Sequence, residues 1–508
     1  MLHRLTPVRP TARVGAPVAL AVVVLDGVLT GWATPRGPAT TLQSLAAIAV
    51  SLAVGLTAGL LSRSRWAILL APVTFAAVFE LTRLGTNGPL EDGIQLSSTY
   101  GVIAFALGRG LHAVLALLPM MLGAALGAAL ARRLDGGESD RHGWARAAQW
   151  GRRGVTALVS IGLVTLNAGL ARPAGTAPIT AADGKPLAGS VAELRRIDVN
   201  GTSLAMMIRG HDVTNPVILY LAGGPGGSDI GGLRRNGGPL ETRFTVATYD
   251  QRGTGKSYDA LDPTSTLTLA GAVSDTVAVT NYLRDRFHQR KIYLVGNSWG
   301  SMLGVLAAQQ HPELYAAFVG SGQMVDVRAT DRLYYQDTLT WARRTGNTGV
   351  EKQLTGNGPP PYTDALDYGT LLGNEHDVYP YDDTGLAEGW AGFSENLFHP
   401  EYSLIEQLHL FAGFLSVFPV LYPQLQGIDL RTQATRLAVP VYLVQGGHET
   451  RARTEPAAEW FTLLQSPAKQ LIVFEASGHR ALFQEPDRFA RVMTDTVLTR
   501  TTTARPTS

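Results

Sequence analysis

The sequence predicts two unlike parts: an N-terminal all-α, multi-span transmembrane region, then an α/β domain with a mostly parallel sheet and an inserted helical cap. Three observations predict this. Apolar runs long enough to cross a bilayer crowd into residues 1–171. From about residue 191, short β-rich runs alternate with helical patterns. Lys291 to Glu313 then reads as strand, Gly-rich turn and helix in immediate succession. Composition sets the outer bounds. A chain of 508 residues allows two or three domains. With 45% hydrophobic and 17% charged residues it is lean in charge for a soluble enzyme. A net charge of +2 gives no basis for a nucleic-acid surface, and the absence of cysteine excludes disulfides, thiolate metal sites and a cysteine nucleophile.

In the first region, Leu42–Leu61 and Gly154–Ala171 carry no charge, and Leu111–Ala131 carries only His112. Val14–Trp32 holds Asp26 alone, and Trp66–Thr82 has Glu80 near its end. A span needs roughly 20 apolar residues, so these are five expected crossings. Asp26, Glu80 and Arg109 are the ionisable groups in or beside them, and mutual pairing or a place near the outer interface accounts for them. Arginine placement sets the direction. Arg4, Arg9 and Arg13 precede the first run, and Arg63 and Arg65 follow the second. Arg132, Arg133, Arg141, Arg146, Arg152 and Arg153 follow the fourth, and the alternate loops are poor in basic residues. The positive-inside rule then puts the N-terminus in the cytoplasm and everything past residue 172 outside. Residues 172–190, rich in Pro, Ala, Gly and Thr, read as a linker.

The α/β core is expected over residues 191–326 and 429–500. Glu193–Asn200 and Ser203–Arg209 form a hairpin turning at Asn200-Gly201. Pro216–Leu221 is a buried strand that runs into Ala222-Gly223-Gly224-Pro225-Gly226-Gly227. The run lacks the G-x-G-x-x-G spacing of a dinucleotide loop, and its free amides suit an oxyanion instead. Phe244–Tyr249 is the next strand, followed by Asp250 to Ser257. The tail Gly253-Thr254-Gly255-Lys256-Ser257 resembles a phosphate-binding loop, yet the first glycine that motif requires is replaced by Asp250. Asp250 and Arg252 read as structural. After a helix over Ala272–His288 comes the strand Ile292–Val295 and the turn Gly296-Asn297-Ser298-Trp299-Gly300. A serine flanked by glycines at a strand-to-helix turn is a nucleophile elbow, exposing the Ser298 hydroxyl at a helix N-terminus with the Trp299 amide beside it.

The three motifs AGGPGG, DQRGTGKS and GNSWG, in this order and spacing, resemble the prolyl iminopeptidase family of α/β-hydrolases over roughly residues 193–325 and 429–499. The whole chain, membrane region included, resembles membrane-anchored actinobacterial relatives of that family. The resemblance implies an α/β-hydrolase fold, a serine aminopeptidase activity without cofactor or metal, and oxyanion donors at Gly223, Gly224 and Trp299. It also implies a helical cap, here residues 327–428, whose carboxylates hold the amino terminus of the substrate. Glu375, Glu388, Glu395, Glu401 and Glu406 are the candidates, and Glu388 and Glu395, beside Trp390 and Phe393, are the expected substrate-binding residues together with Trp390. The family usually has histidine where this chain has Ala222.

Two further residues complete the expected triad. Val439–Val444 is a strand, and the acid belongs just past it, at Glu449; Asp326 is the rival, and His448 reads as loop support. Leu471–Phe474 is the last strand, with the base expected at His479 and a helix over Pro486–Leu498 after it. The order Ser298, Glu449, His479 is that of α/β-hydrolases. Residues 501–508 read as a disordered tail. The expected chemistry is acyl transfer to water through an acyl-enzyme, with a small peptide or acyl substrate and the lipid bilayer as partners. An esterase or lactonase with the same triad, and a membrane sensor whose hydrolase fold only binds ligand, are the alternatives.

Overall fold

The computed structural model describes residues 12–96, 98–135, 144–379 and 395–503. The chain divides into two compact units, one of Met1–Leu96, Gly101–Pro173 and Ser403–Ile405, the other of Ser97–Tyr100, Ala174–Tyr402 and Glu406–Ser508.

The first unit is all helical. Four of the five expected spans coincide with helices long and apolar enough to cross a bilayer: Val14–Ala33, Thr41–Ser62, Thr99–Leu134 and Ala147–Leu170. The remaining one, Ala67–Thr82, is a 16-residue helix and falls short of that length. The helix expected at Leu111 begins twelve residues earlier, at Thr99, and includes two π-helical stretches, Ala106–Gly110 and Ala113–Leu117. Arg109, on the first stretch, donates to Glu80 Oε2 at 3.3 Å and to the carbonyls of Glu91 and Asp92 at 3.1 Å. Glu80 also pairs with Arg83 at 2.7 Å, so two of the three charged groups singled out in the sequence meet each other. The third, Asp26, is 7% exposed. Thr41–Ser62 and Thr99–Leu134 pack backbone to backbone. A Cβ on Gly55, Gly59, Gly123 or Gly127 would land on a carbonyl of the facing helix, the small-xxx-small arrangement of close helix pairs.

The second unit is built on one eight-stranded sheet in the order β1-β2-β4-β3-β5-β6-β7-β8. β1 (Val191–Val199) and β2 (Thr202–Gly210) form the expected hairpin. Asn200 and Gly201 both take positive φ, 46° and 78°, as a tight hairpin turn requires. β2 also pairs antiparallel with β4 (Thr245–Tyr249). All remaining pairings are parallel: β4 with β3 (Val217–Leu221), β3 with β5 (Ile292–Asn297), β5 with β6 (Tyr315–Ser321), β6 with β7 (Val441–Gly446), and β7 with β8 (Lys469–Phe474). β3, β4 and β5 are buried along their whole length, which is why they read as continuous apolar runs. Side-chain alternation then divides the core between two faces. Leu219 and Leu294 join one apolar cluster, with Trp299 and Leu303, while Ile218, Tyr220, Tyr293 and Val295 join the other, with Phe474 and Phe489.

Helices Val327–Thr345, Thr348–Asn357 and Leu404–Leu425 lie in the insertion between β6 and β7, where the sequence predicts a cap. Leu404–Leu425 is itself long and apolar enough to cross a membrane. It nevertheless buries Phe418, Tyr422 and Leu425 in the same apolar cluster as Leu219 and Leu294, so its hydropathy comes from packing inside this unit. At the C-terminal end a helix continues to Thr503, into the segment that composition marks as a disordered tail. Thr501, on that helix, meets Tyr293 Oη at 2.7 Å.

Gly300 is a position where the fold leaves no room for a side chain: a Cβ there would press into the carbonyls of Leu221 and Ala222, backbone of β3 and the loop after it. Gly300→Ala is expected to destabilise the fold by about 3 kcal/mol or more and so to lower the thermal midpoint strongly. Gly356→Ala, in a helix with nothing within 4 Å of the added carbon, is expected to be neutral or stabilising by up to about 1 kcal/mol. Thermal unfolding of the two variants side by side checks this.

Candidate active site

Strand β5 ends at Asn297 and the next helix, Trp299–Gln310, starts two residues later. The residue between them, Ser298, has φ 54° and ψ −122°, a backbone conformation costly for a residue with a side chain. Gly296 and Gly300 make it possible. A Cβ on Gly296 would collide with the backbone of Gly300 and Ser301, and one on Gly300 with the backbone of β3 and its loop. The turn is tied down by Ser298 N–H donating to Ser321 O at 3.0 Å. Ser301 Oγ donates to Ser298 O at 2.5 Å and accepts from Met324 N–H at 3.0 Å. Ser298 Oγ itself points at Met324 Sδ, 3.7 Å away. The loop after β3 passes beside the serine: a Cβ on Gly223 would lie 3.4 Å from Ser298 Cβ. Gly224 has φ 131°, and its added carbon would meet the Gly226 and Gly227 amides at 2.6 Å. Trp299, fully buried, donates its indole N–H to Gln251 Oε1 at 3.0 Å.

His479 follows β8 and is 6% exposed. Its Nδ1 meets Glu449 Oε2 at 2.5 Å, with Glu449 just past β7. The rival acid Asp326 does other work. It caps the helix Val327–Thr345 by accepting from Ala329 N–H and pairs with Arg431 at 2.6 Å. His448 is exposed, and its backbone N–H donates to Ser477 O at 3.0 Å. Asp250 is buried, accepting from Lys256 N–H at 2.7 Å and Tyr402 Oη at 3.1 Å, while Arg252 pairs with Asp275 at 2.5 Å. Both therefore brace the loop after β4, as their pattern suggests.

Ser298, Gly223, Gly224, His479 and Glu375 line one cavity of about 200 Å³. Of the five cap glutamates, Glu388 lies outside the described residues, as does Trp390. Three others are held by cations: Glu395 by Arg480 at 2.7 Å, Glu401 by Arg234 at 3.1 Å, and Glu406 by Lys256 at 2.7 Å. Among the described four, Glu375 is the one that lines the cavity. It is also tied to the acid behind His479. Arg453 Nη1 donates to Glu375 Oε1 at 2.9 Å and to Glu449 Oε1 at 3.0 Å; Thr450 N–H adds a third bond to Glu449 at 2.9 Å, and Tyr334 Oη bonds Glu375. Arg453 was not singled out in the sequence. Its position four residues after Glu449, at the start of the helix Arg451–Leu463, is the signal that could have found it. A second buried network, Asp229–Arg480–Glu395, has distances of 3.0 and 2.7 Å, and its Asp229 and Arg480 line the same cavity as Gly223 and Gly224.

Burial governs the titration of this group. Burial pushes His479 down to about 4, with Glu375 pulling it up and Arg480 pressing it further down. Burial also raises Glu449, and Arg453 opposes that rise. With Nδ1–H donated to Glu449, the neutral imidazole presents Nε2 as an acceptor. Among the described residues no group of three His, Asp or Glu has an arrangement suited to a metal ion.

A model of the α/β hydrolase fold matches residues 216–486, more than half of the chain. The chain belongs to the α/β hydrolase fold family. Among curated α/β hydrolases it is 28% identical over 313 residues to the probable aminopeptidase YbaC of Bacillus subtilis, covering 60% of this chain and 96% of that one. It is 32% identical over 128 residues to the proline iminopeptidase of Xylella fastidiosa, covering 25% of this chain and 38% of that one. Among solved structures it is similar to the proline iminopeptidase of Mycobacterium smegmatis. The identity there is 18% and the TM-score 0.45, over 62% of this chain and 100% of that one.

Removing Arg453 from this hydrolase tests the charge arrangement. Arg453→Met leaves two buried carboxylates without their shared cation, a loss of about 3–5 kcal/mol. The loss depends on pH with a definite sign. Glu449 is already raised in the folded protein and rises further without Arg453, so its contribution is intact below the unfolded carboxylate value of about 4.3. It is lost as pH climbs through the folded value. The variant is therefore expected to approach the parent near pH 4 and to fall furthest behind at pH 8, as measured by thermal unfolding across that range.

Proposed function

We propose that this α/β hydrolase is a membrane-anchored serine aminopeptidase, working through a Ser298–His479–Glu449 triad on the outer side of the bilayer. The observation that carries the reading is the shared cavity: Ser298, His479 and the cap carboxylate Glu375 line it together, with Glu449 bonded behind the imidazole. In the proposed cycle Ser298 Oγ turns from Met324 toward His479 Nε2, loses its proton there and attacks the acyl carbon. The amide of Trp299 and those of Gly223 and Gly224 receive the oxyanion. His479 passes the proton to the leaving amine, and water, activated by the same imidazole, releases the acyl group. Glu449 holds the imidazole and stabilises its protonated form, the work that Asp does in other triads.

Glu375 supplies what distinguishes an aminopeptidase from a general esterase. An α-ammonium sits two bonds from the carbonyl under attack, so its acceptor must stand close to the catalytic base. Glu375 does: its charge is felt by His479, and Tyr334 and Arg453 fix its Oε1. The aminopeptidase and iminopeptidase names of the curated relatives favour the same reading. Membrane anchoring rests on the four long apolar helices before residue 171, and the outer location on the arginine pattern of their loops.

Two experiments test the reading. Purified full-length protein is expected to release leaving groups from aminoacyl amides with a free α-amine, and to lose that turnover on blocking the amine or on Ser298→Ala. Undiminished turnover of blocked substrates assigns a plain esterase, and a cellular role that survives Ser298→Ala assigns a ligand-binding sensor. In the same assay the acid limb is expected well below the ordinary histidine value of about 6.5, because the base stays neutral until pH approaches about 4. For topology, the cysteine-free chain allows single-cysteine labelling in intact cells. Ser265→Cys, on an exposed stretch of the α/β unit, is expected to react with a membrane-impermeant maleimide, and Arg65→Cys is expected to react only after lysis.

A further inference from the structure

The cavity has a second carboxylate that the proposed chemistry does not use. Asp331 lies on the helix Val327–Thr345, lines the cavity and is 4% exposed. Its carboxylate accepts from Tyr422 Oη at 2.6 Å, Gln426 Nε2 at 2.9 Å and Tyr368 Oη at 3.2 Å. All three donors are neutral. The other buried carboxylates around the cavity have a cation: Glu375 and Glu449 share Arg453, and Asp229 and Glu395 share Arg480. Among the described residues no cation pairs with Asp331; a buried carboxylate without a counter-ion is costly, and one that lines a cavity is placed to take a positively charged ligand.

The surroundings suit a cation. Tyr368 and Tyr422, whose hydroxyls bond Asp331, pack ring against ring with Phe418, with centroids 4.3 to 5.6 Å apart, and all three line the cavity. Aromatic faces attract ammonium and guanidinium groups, most strongly away from water. We propose that Asp331 and these three rings form a subsite for a cationic side chain, of the lysine or arginine type, on the acyl residue of the substrate.

This rests on the aminopeptidase reading, which gives the α-ammonium to Glu375. Asp331 precedes Tyr334, the partner of Glu375, by three residues on one helix, close to a turn of about 5.4 Å. Asp331 and Glu375 both line the cavity, so one substrate can meet both, and Leu371 and Leu372 offer a methylene stem an apolar wall. Burial lifts Asp331 to about 6, so it remains mostly ionised at neutral pH.

The test reads occupancy of the cavity, not turnover. Full-length protein is labelled at Ser298 with a fluorophosphonate probe in the presence of lysine amide, arginine amide or norleucine amide, the last matching the lysine stem without its charge. The two basic amides are expected to slow labelling at concentrations roughly tenfold lower than norleucine amide. Asp331→Asn, which keeps the shape but not the charge, is expected to collapse that difference. Equal protection by lysine and norleucine amides in the parent protein, or no protection by any, overturns the proposal without recourse to a variant. Asp331→Asn weakening all three amides alike also overturns it, by assigning Asp331 to the α-ammonium or to support of the cap. Labelling with the expected charge preference, but without turnover of any aminoacyl substrate, leaves this subsite standing and sinks the aminopeptidase reading.

Discussion

One guanidinium holds this site together. Arg453 stands between Glu449, which follows a core strand, and Glu375, which comes from the cap, and it donates to both at about 3 Å. Two carboxylates this close repel each other by several kcal/mol at the effective dielectric of a protein interior, and burial adds a further cost to each. A single interposed cation turns that repulsion into a bridge. It also fixes geometry, because Arg453 and Thr450 N–H occupy one oxygen of Glu449 and leave the other for His479. Cap and core are thus joined at the point where the imidazole is oriented, and a cap out of place would loosen the acid as well as open the cavity.

The backbone around Ser298 poses the opposite problem, strain without charge. Positive φ at a serine persists only if its surroundings over-determine it. Gly296 and Gly300 remove the atoms that would forbid the turn, while Ser301 and Ser321 hold the strained segment by hydrogen bonds. The strand before and the helix after it belong to the most buried part of the sheet, where β3, β5 and β6 meet in parallel register. Rigidity there positions the hydroxyl, and the cap helices vary what reaches it.

Much of this was legible in the sequence because it is local. The hairpin at Asn200-Gly201, the elbow, and the places of Glu449 and His479 past β7 and β8 are each set by residues within one strand and turn of one another. The pairings across the chain were not legible. The sequence favoured Glu388 and Glu395 over Glu375 for their aromatic neighbours, and nothing local marked Glu375, since its partner Arg453 lies 78 residues away. Asp331 looked like any acidic residue on a helix, and its meaning depends on rings contributed by two other cap segments. Apolar length alone does not separate spans from cap helices. Ala67–Thr82, among the expected spans, is an apolar helix of 16 residues, whereas Leu404–Leu425 has the length and hydropathy of a span and lies, as expected, in the cap. Hydropathy reports how dry the surroundings of a helix are, and a cap over an apolar cavity is dry without lipid.

The charges around the cavity favour an aminopeptidase over an esterase more than any single residue does. Glu375, Glu449, Asp331, Asp229 and Glu395 carry five formal negative charges, and Arg453 and Arg480 supply two positive ones, a balance of 2 − 5 = −3. Neutral esters gain nothing from such a field, and anionic ones are repelled by it. On the proposed reading a substrate with a protonated α-amine is drawn in, and one that adds a basic side chain more so. The same field bears on the proposed chemistry, in which negative charge near His479 would stabilise the imidazolium formed as Ser298 attacks. Burial, which holds the resting imidazole neutral, and the surrounding carboxylates, which welcome its proton in the transition state, therefore act at different moments of one cycle.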